Sequence, residues 1–166
     1  MAAIAEKGEL AFHETPTVDG APRKGKKSKR TFYSEQEMFT LLMELKARDI
    51  SLLVIEKQQP MPNNRPTAAF GTGYGYGLWK MALVAAGIPF EEVVSASWKA
   101  KLGVRGQGDT TETRRKDSKR KSIEKARALF PGVDLLRNSR CRVPSDDKAE
   151  ALLLAEVARR RYAGAM

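Results

Sequence analysis

Cysteine and histidine are almost missing from this chain: Cys141 and His13 are the only ones in 166 residues. A single cysteine excludes an internal disulfide framework and a cysteine-built zinc site. A single histidine leaves a multi-histidine metal centre or a histidine-based triad little to build on. Any metal would therefore be held by carboxylates, which points to a hard cation, magnesium or manganese. Long apolar runs are missing too, since none approaches the roughly 20 residues of a membrane-spanning helix. The first residues lack a basic-then-apolar secretory pattern, so the expected setting is reduced and cytoplasmic. What remains is a length that suits one compact domain, residues 1–166, able to bury a core without covalent staples.

Charge is abundant, and most of it is of one sign. The net charge is +10, which favours a polyanionic partner, nucleic acid before others; a soluble protein with a merely basic surface is the plain alternative. Arg23, Lys24, Lys26, Lys27, Lys29 and Arg30 fall in one stretch without an acid. Arg114, Arg115, Lys116, Lys119, Arg120 and Lys121 form a second cluster. Clustered cations can follow a phosphate backbone, whereas evenly scattered lysines only solubilise.

Along the chain, small apolar residues at 2–5, a Lys7-Gly8 turn and alternation at Leu10 and Phe12 predict a hairpin over 2–14. Pro16, Gly20, Pro22 and the basic run predict a mobile loop over 15–30. Ser34 with Glu37 reads as a capping box opening an amphipathic helix over 35–47. Ser51–Ile55 reads as a short buried strand, parallel in a mixed sheet. A helix is expected over 72–87, closed by Gly87 and Pro89, then a strand at Val93-Val94. Residues 103–115 read as a flexible basic segment, and helices are expected at 116–130 and 147–162. This order predicts an α/β domain with one central sheet.

Two groups of residues suit chemistry. Glu56 ends the run Leu52–Ile55, and ligands of open α/β sheets gather at the carboxyl ends of strands; a solvated strand-end glutamate is the alternative. Asp147 and Glu150, three apart at a helix start, share one face, although acids in a first turn also serve simply as caps and dipole partners. Together Glu56, Asp147 and Glu150 could hold one or two magnesium ions, activating water for phosphodiester displacement. The glycines of 71–77 fit neither a dinucleotide fingerprint nor a P-loop, and close helix packing is the better use of them. Tyr74 and Tyr76 suit base stacking or rim packing.

These residues resemble a family. Leu53–Gln58 is similar to the second catalytic motif of RuvC-like Holliday junction resolvases, particularly phage and bacterial ones. Phe70–Leu78 resembles the glycine-bearing helix that follows, and Ile88–Phe90, Val93-Val94 and Ser97–Lys99 the next strand and its exit. Lys119–Gly132 resembles the basic helix beyond, and Asp147–Glu156 the terminal D-x-x-D/E motif. The resemblance covers most of residues 50–160. It implies an RNase H-like fold with a five-stranded mixed sheet flanked by helices. It also implies a homodimer that cuts branched or four-way-junction DNA with Mg2+, or Mn2+ in its place. On that reading Glu56, Asp147 and Glu150 are metal ligands and Lys119 serves near the scissile phosphate, with Lys116 and Lys121 competing for that role. Lys24, Lys26, Lys27, Arg114, Arg115, Lys116, Lys119 and Lys121 would contact DNA.

One departure bears on activity. The family opens with an I-D-P-G-like run whose Asp sits on the central strand. Met1–Ala5 matches only the later part of that strand, and Asp19 comes too late to substitute. A natural sequence that starts further upstream is the favoured expectation; a catalytically weak or inactive junction-binding relative is the other.

Overall fold

The computed structural model describes residues 2–4, 10–22, 29–48, 50, 52–59 and 65–164. In chain order they form β1 (Ala2–Ile4), β2 (Leu10–Phe12), β3 (Thr17–Pro22), β4 (Lys29–Tyr33), α1 (Glu35–Lys46), β5 (Leu53–Glu56), α2 (Pro66–Ala86), β6 (Phe90–Val93), α3 (Ser95–Lys101), α4 (Thr111–Leu129) and α5 (Asp146–Tyr162). The chain divides into two compact units. One comprises Met1–His13, Val54–Lys57 and Glu91–Met166; the other comprises Glu14–Leu53 and Gln58–Phe90.

The first unit is built on α5. Leu152, Leu153 and Val157 recur at helical spacing and are fully buried, joined by Ala149. Against them lie Trp98 and Leu102 of the α3 turn, Val104, Ala126 of α4, Leu135 and Val93. The antiparallel hairpin of β1 and β2, in register Ala2↔Phe12, Ala3↔Ala11 and Ile4↔Leu10, adds Ala2, Leu10 and Phe12 to the rim of this core. The hairpin expected over 2–14 is therefore present.

Helix α4 begins at Thr111, five residues earlier than its periodicity suggests, because Thr110 and Thr113 cap each other reciprocally. The preceding turn is also fixed. A side chain at Gly106 would run into the Arg114 carbonyl, Gln107 N–H donates to Asp117 Oδ2 (2.8 Å), and Ser118 Oγ donates to Val104 O (2.9 Å). The stretch 103–115, flexible by composition, is thus a turn and the start of a helix.

In the second unit Met38, Leu42 and Leu45 form the buried face of α1, and Leu83, Ala86 and Ile88 are buried with them. The Ser34–Glu37 capping box does not form: no side chain caps α1, and Ser34 N–H donates instead to Pro16 O (3.1 Å). Helix α2 starts at Pro66, six residues before the expected point, with proline in its favoured first-turn position. It ends at Gly87 in the left-handed conformation (φ 63°), and Lys46 Nζ holds the Ala86 carbonyl at 2.6 Å. Gly75 faces the Tyr33 ring so closely that no β-carbon fits. The opposite stripe of α2, Phe70, Gly73, Tyr74, Gly77, Met81 and Val84, is exposed; Phe70 is 75% and Met81 64% accessible. Residues 15–30, expected as a mobile loop, contain β3 and the start of β4. The two strands pair antiparallel with a register irregularity between Asp19 and Pro22.

The expected five-stranded sheet is corrected. Among the described residues the strands form three two-stranded sheets, β1–β2, β3–β4 and β5–β6. The strands are short, three residues in β1 and four in β5, so each offers few ladder bonds to a second neighbour. In β5–β6, Leu53 N–H donates to Pro89 O (2.9 Å) and Lys57 N–H to Val93 O (2.8 Å). Partners advance together along both strands, so the pair is parallel, with α2 as its crossover.

Candidate functional site

The site is assembled within the first unit, around two consecutive residues of α3. Trp98 is buried, 1% accessible, and its indole Nε1–H donates to Glu56 Oε2 at 2.8 Å. A buried indole needs an acceptor for its N–H, and the carboxylate at the end of β5 supplies it. The next residue, Lys99, places Nζ 2.6 Å from Glu150 Oε1 on α5. Its ammonium also lies 5.2 Å from the Trp98 ring centre, a cation–π arrangement. Glu56 and Glu150, ninety-four positions apart in sequence (150 − 56), are thus held by neighbouring side chains.

The N-terminus of α5 carries the remaining acids. Ser145 Oγ caps it by accepting from Lys148 N–H (3.3 Å). Asp146 pairs with Lys119 of α4, Nζ to Oδ2 at 2.5 Å. Asp147, the residue singled out by the sequence, is exposed, and among the described residues it makes no ion pair. Lys119 therefore does reach the acidic end of α5, but through Asp146, which the motif reading passed over.

Only oxygen donors are present, which suits magnesium or manganese and not a soft metal. Among the described residues, however, no three acidic, histidine or cysteine side chains cluster closely enough to hold an ion. Glu56 and Glu150 share α3 as their support, and Asp147 is not gathered with them into a three-carboxylate group.

The basic residues sort by partner. Lys116 pairs with Glu112 (2.7 Å), Arg120 with Asp117 and Glu124 (both 2.7 Å), and Lys121 with Asp117 (2.8 Å). The hydrogen bond from Lys121, with those from Gln107 N–H and Arg120, holds the Asp117 carboxyl far below the usual carboxylate range. Arg114 Nε donates to Thr110 O (3.2 Å), and Arg115 is exposed. Lys24, Lys26 and Lys27 lie outside the described residues. Tyr74 belongs to the packing of the second unit, donating to Glu35 Oε1 (2.6 Å) and stacking on Phe70 with ring centres 6.2 Å apart.

Trp98, Lys99 and Asp146 are the residues that spacing alone misses. The first two stand in a short polar segment with no periodic signal, and only the tertiary pairing gives them roles.

No protein-family model matches the chain, and no curated protein sequence matches it. Solved structures do. The chain is similar to Thermus thermophilus RuvC in complex with Holliday junction substrate, with a TM-score of 0.53 and 13% identity over 84% of this chain and 80% of that one. A second structure of Thermus thermophilus RuvC matches with a TM-score of 0.49 and 16% identity, over 90% and 89% of the two chains. The first likeness shows the fold alone: the chain shares the α/β fold of that structure.

Proposed function

We propose that this protein is a structure-selective endodeoxyribonuclease that cuts four-way or otherwise branched DNA with a divalent cation, Mg2+ or Mn2+. The observation that carries the reading is the placement of Glu56, at the end of β5, on the same α3 support as Glu150 of α5, within the fold of a protein captured on a Holliday junction. Glu56, Asp147 and Glu150 are the residues proposed to hold the ion. When bound, it would activate water and stabilise the oxygens of the displaced phosphodiester. The protein's own part is to position: Trp98 fixes the rotamer of Glu56, and Lys99 neutralises Glu150. Lys119 would approach the scissile phosphate, and Lys24, Lys26, Lys27, Arg114, Arg115, Lys116 and Lys121 would follow the backbone. The exposed stripe of α2, with Gly73 and Gly77 at its centre, suits close packing against the same helix of a second copy. A symmetric junction calls for such an isologous dimer. A cytoplasmic setting is consistent with the proposed DNA substrate.

A second reading is a junction-binding protein with weak or no cleavage. One experiment separates the two. A labelled four-way junction is incubated with the protein in magnesium and in EDTA, beside Glu56→Gln. Paired magnesium-dependent nicks that vanish in Glu56→Gln support the nuclease. Binding without cleavage, unchanged in Glu56→Gln, supports the binding protein, and a preference for hairpin RNA at matched salt would sink both.

A further inference from the structure

The loop that leads into α5 carries charge that neither basic cluster of the sequence includes. Between Leu136 and Pro144 runs Arg137-Asn138-Ser139-Arg140-Cys141-Arg142-Val143, three cations in six residues without an acid. The neck is closed by an antiparallel bridge, Leu136↔Pro144, and by Ser145 N–H donating to Leu135 O at 2.8 Å. Leu135 is buried in the core of the first unit, 2% accessible. Lys148 Nζ holds the Leu136 carbonyl (2.6 Å), and Asp134 Oδ1 accepts from Leu136 N–H (2.8 Å). Within the loop, Asn138 Oδ1 accepts from Arg140 N–H (3.0 Å) and Asn138 O from Cys141 N–H (3.0 Å). The loop is therefore shaped in part by its own hydrogen bonds.

Its arginines are exposed, and among the described residues none of the three makes an ion pair. The contrast with α4 is instructive, because Lys116, Lys119, Arg120 and Lys121 each have an acid beside them. Three unneutralised guanidinium groups on a pre-shaped loop repel one another, and a polyanion relieves that repulsion. Guanidinium also grips phosphate through two parallel hydrogen bonds. The loop ends at Ser145, the cap of the helix that bears Asp147 and Glu150, so it is joined directly to the end of α5 that carries Asp147.

We infer that Arg137, Arg140 and Arg142 form a phosphate-binding loop that grips the DNA backbone next to the α5 acids. The inference rests on the junction-DNA reading above. Each phosphate neutralised contributes about 0.9 to the slope of log affinity against log salt. Replacing all three arginines with glutamine should therefore lower that slope by about 2 to 3 and weaken junction binding roughly 100- to 1,000-fold near 0.1 M salt. The triple lysine variant, which keeps the charges, should recover most of the slope. Cys141, the chain's only thiol, provides a second readout from inside the loop. Junction DNA should slow its alkylation by a maleimide in the native chain, and the glutamine variant should lose that protection. Wild-type binding with an unaltered slope in the glutamine variant, or a thiol alkylated equally fast with and without DNA, overturns the loop while leaving the junction reading intact. Failure of the wild-type chain to bind any junction overturns both.

Discussion

At the scale of single residues, the donor on Trp98 separates two jobs that one side chain performs. The ring fills the core, and the N–H orients Glu56. Trp98→Phe keeps most of the volume and removes the donor, so it should cost roughly 1–3 kcal/mol of stability and lower kcat for junction cleavage with KM little changed. The checks are a denaturant melt, steady-state kinetics, and loss of the indole proton signal that Glu56→Gln should shift. Glu156 makes a different point. It is 2% accessible, yet it accepts from Arg159 (2.7 and 2.8 Å) and Arg160 (2.6 Å). Burial pushes its carboxyl up, and the two guanidinium groups more than offset this, leaving it below the usual glutamate range. A folded-state pKa below the unfolded one stabilises the native form above the unfolded value, about 4.3 for glutamate, and that contribution is lost as pH falls through the folded value. Thermal melts should therefore fall more steeply with acidification below about pH 4.3 in the native chain than in Glu156→Gln.

Elements depend on how they are started and stopped, and that is where the sequence was least legible. Thr110→Ala removes one half of the reciprocal cap on α4 and should cost about 1 kcal/mol, seen as a fall in Tm of roughly 2–4 °C for a chain of this size. The box was missed because Thr–Thr capping lacks the glutamate of the usual pattern. The expected box, Ser34 with Glu37, does not form because the Ser34 N–H that Glu37 would accept from is donated to Pro16 O. The helices expected over 35–47 and 147–162, in contrast, are present as α1 and α5, and Met38, Leu42, Leu45, Leu152, Leu153 and Val157 on them are buried. The parallel strand ending in Glu56 is readable from a short continuous apolar run and not from periodicity, although its residues are half-buried and not buried as expected. Hydrogen-bond partners are not readable: Trp98 lies 42 positions from Glu56 and Lys99 51 from Glu150, and no local pattern encodes such pairs. Strand number was overread from the family likeness, which carries a typical sheet and not the lengths of these particular strands.

For the whole molecule, the exposed stripe of α2 is the face the proposed dimer would use. A β-carbon at Gly77 would meet nothing within 4 Å, so Gly77→Leu should leave the unit's own packing intact while blocking close approach of a second helix. On the proposed dimer, sedimentation velocity should show Gly77→Leu as a monomer beside a dimeric native chain, with circular dichroism unchanged; a native dimer that Gly77→Leu leaves intact would move the interface elsewhere. On a two-fold substrate, loss of the dimer should also convert paired nicks into single, uncoordinated ones.

The brevity of α3 carries one more consequence. Its closing turn is tied back to the same two residues that hold the acids: Leu102 N–H donates to the Trp98 carbonyl (3.0 Å) and Val104 N–H to the Lys99 carbonyl (2.8 Å), across the left-handed Gly103 (φ 73°). Fraying of this one turn would release Glu56 and Glu150 in a single event. The deuterium uptake of two backbone amides, Leu102 and Val104, should therefore act as a clock for how often both acids come loose together.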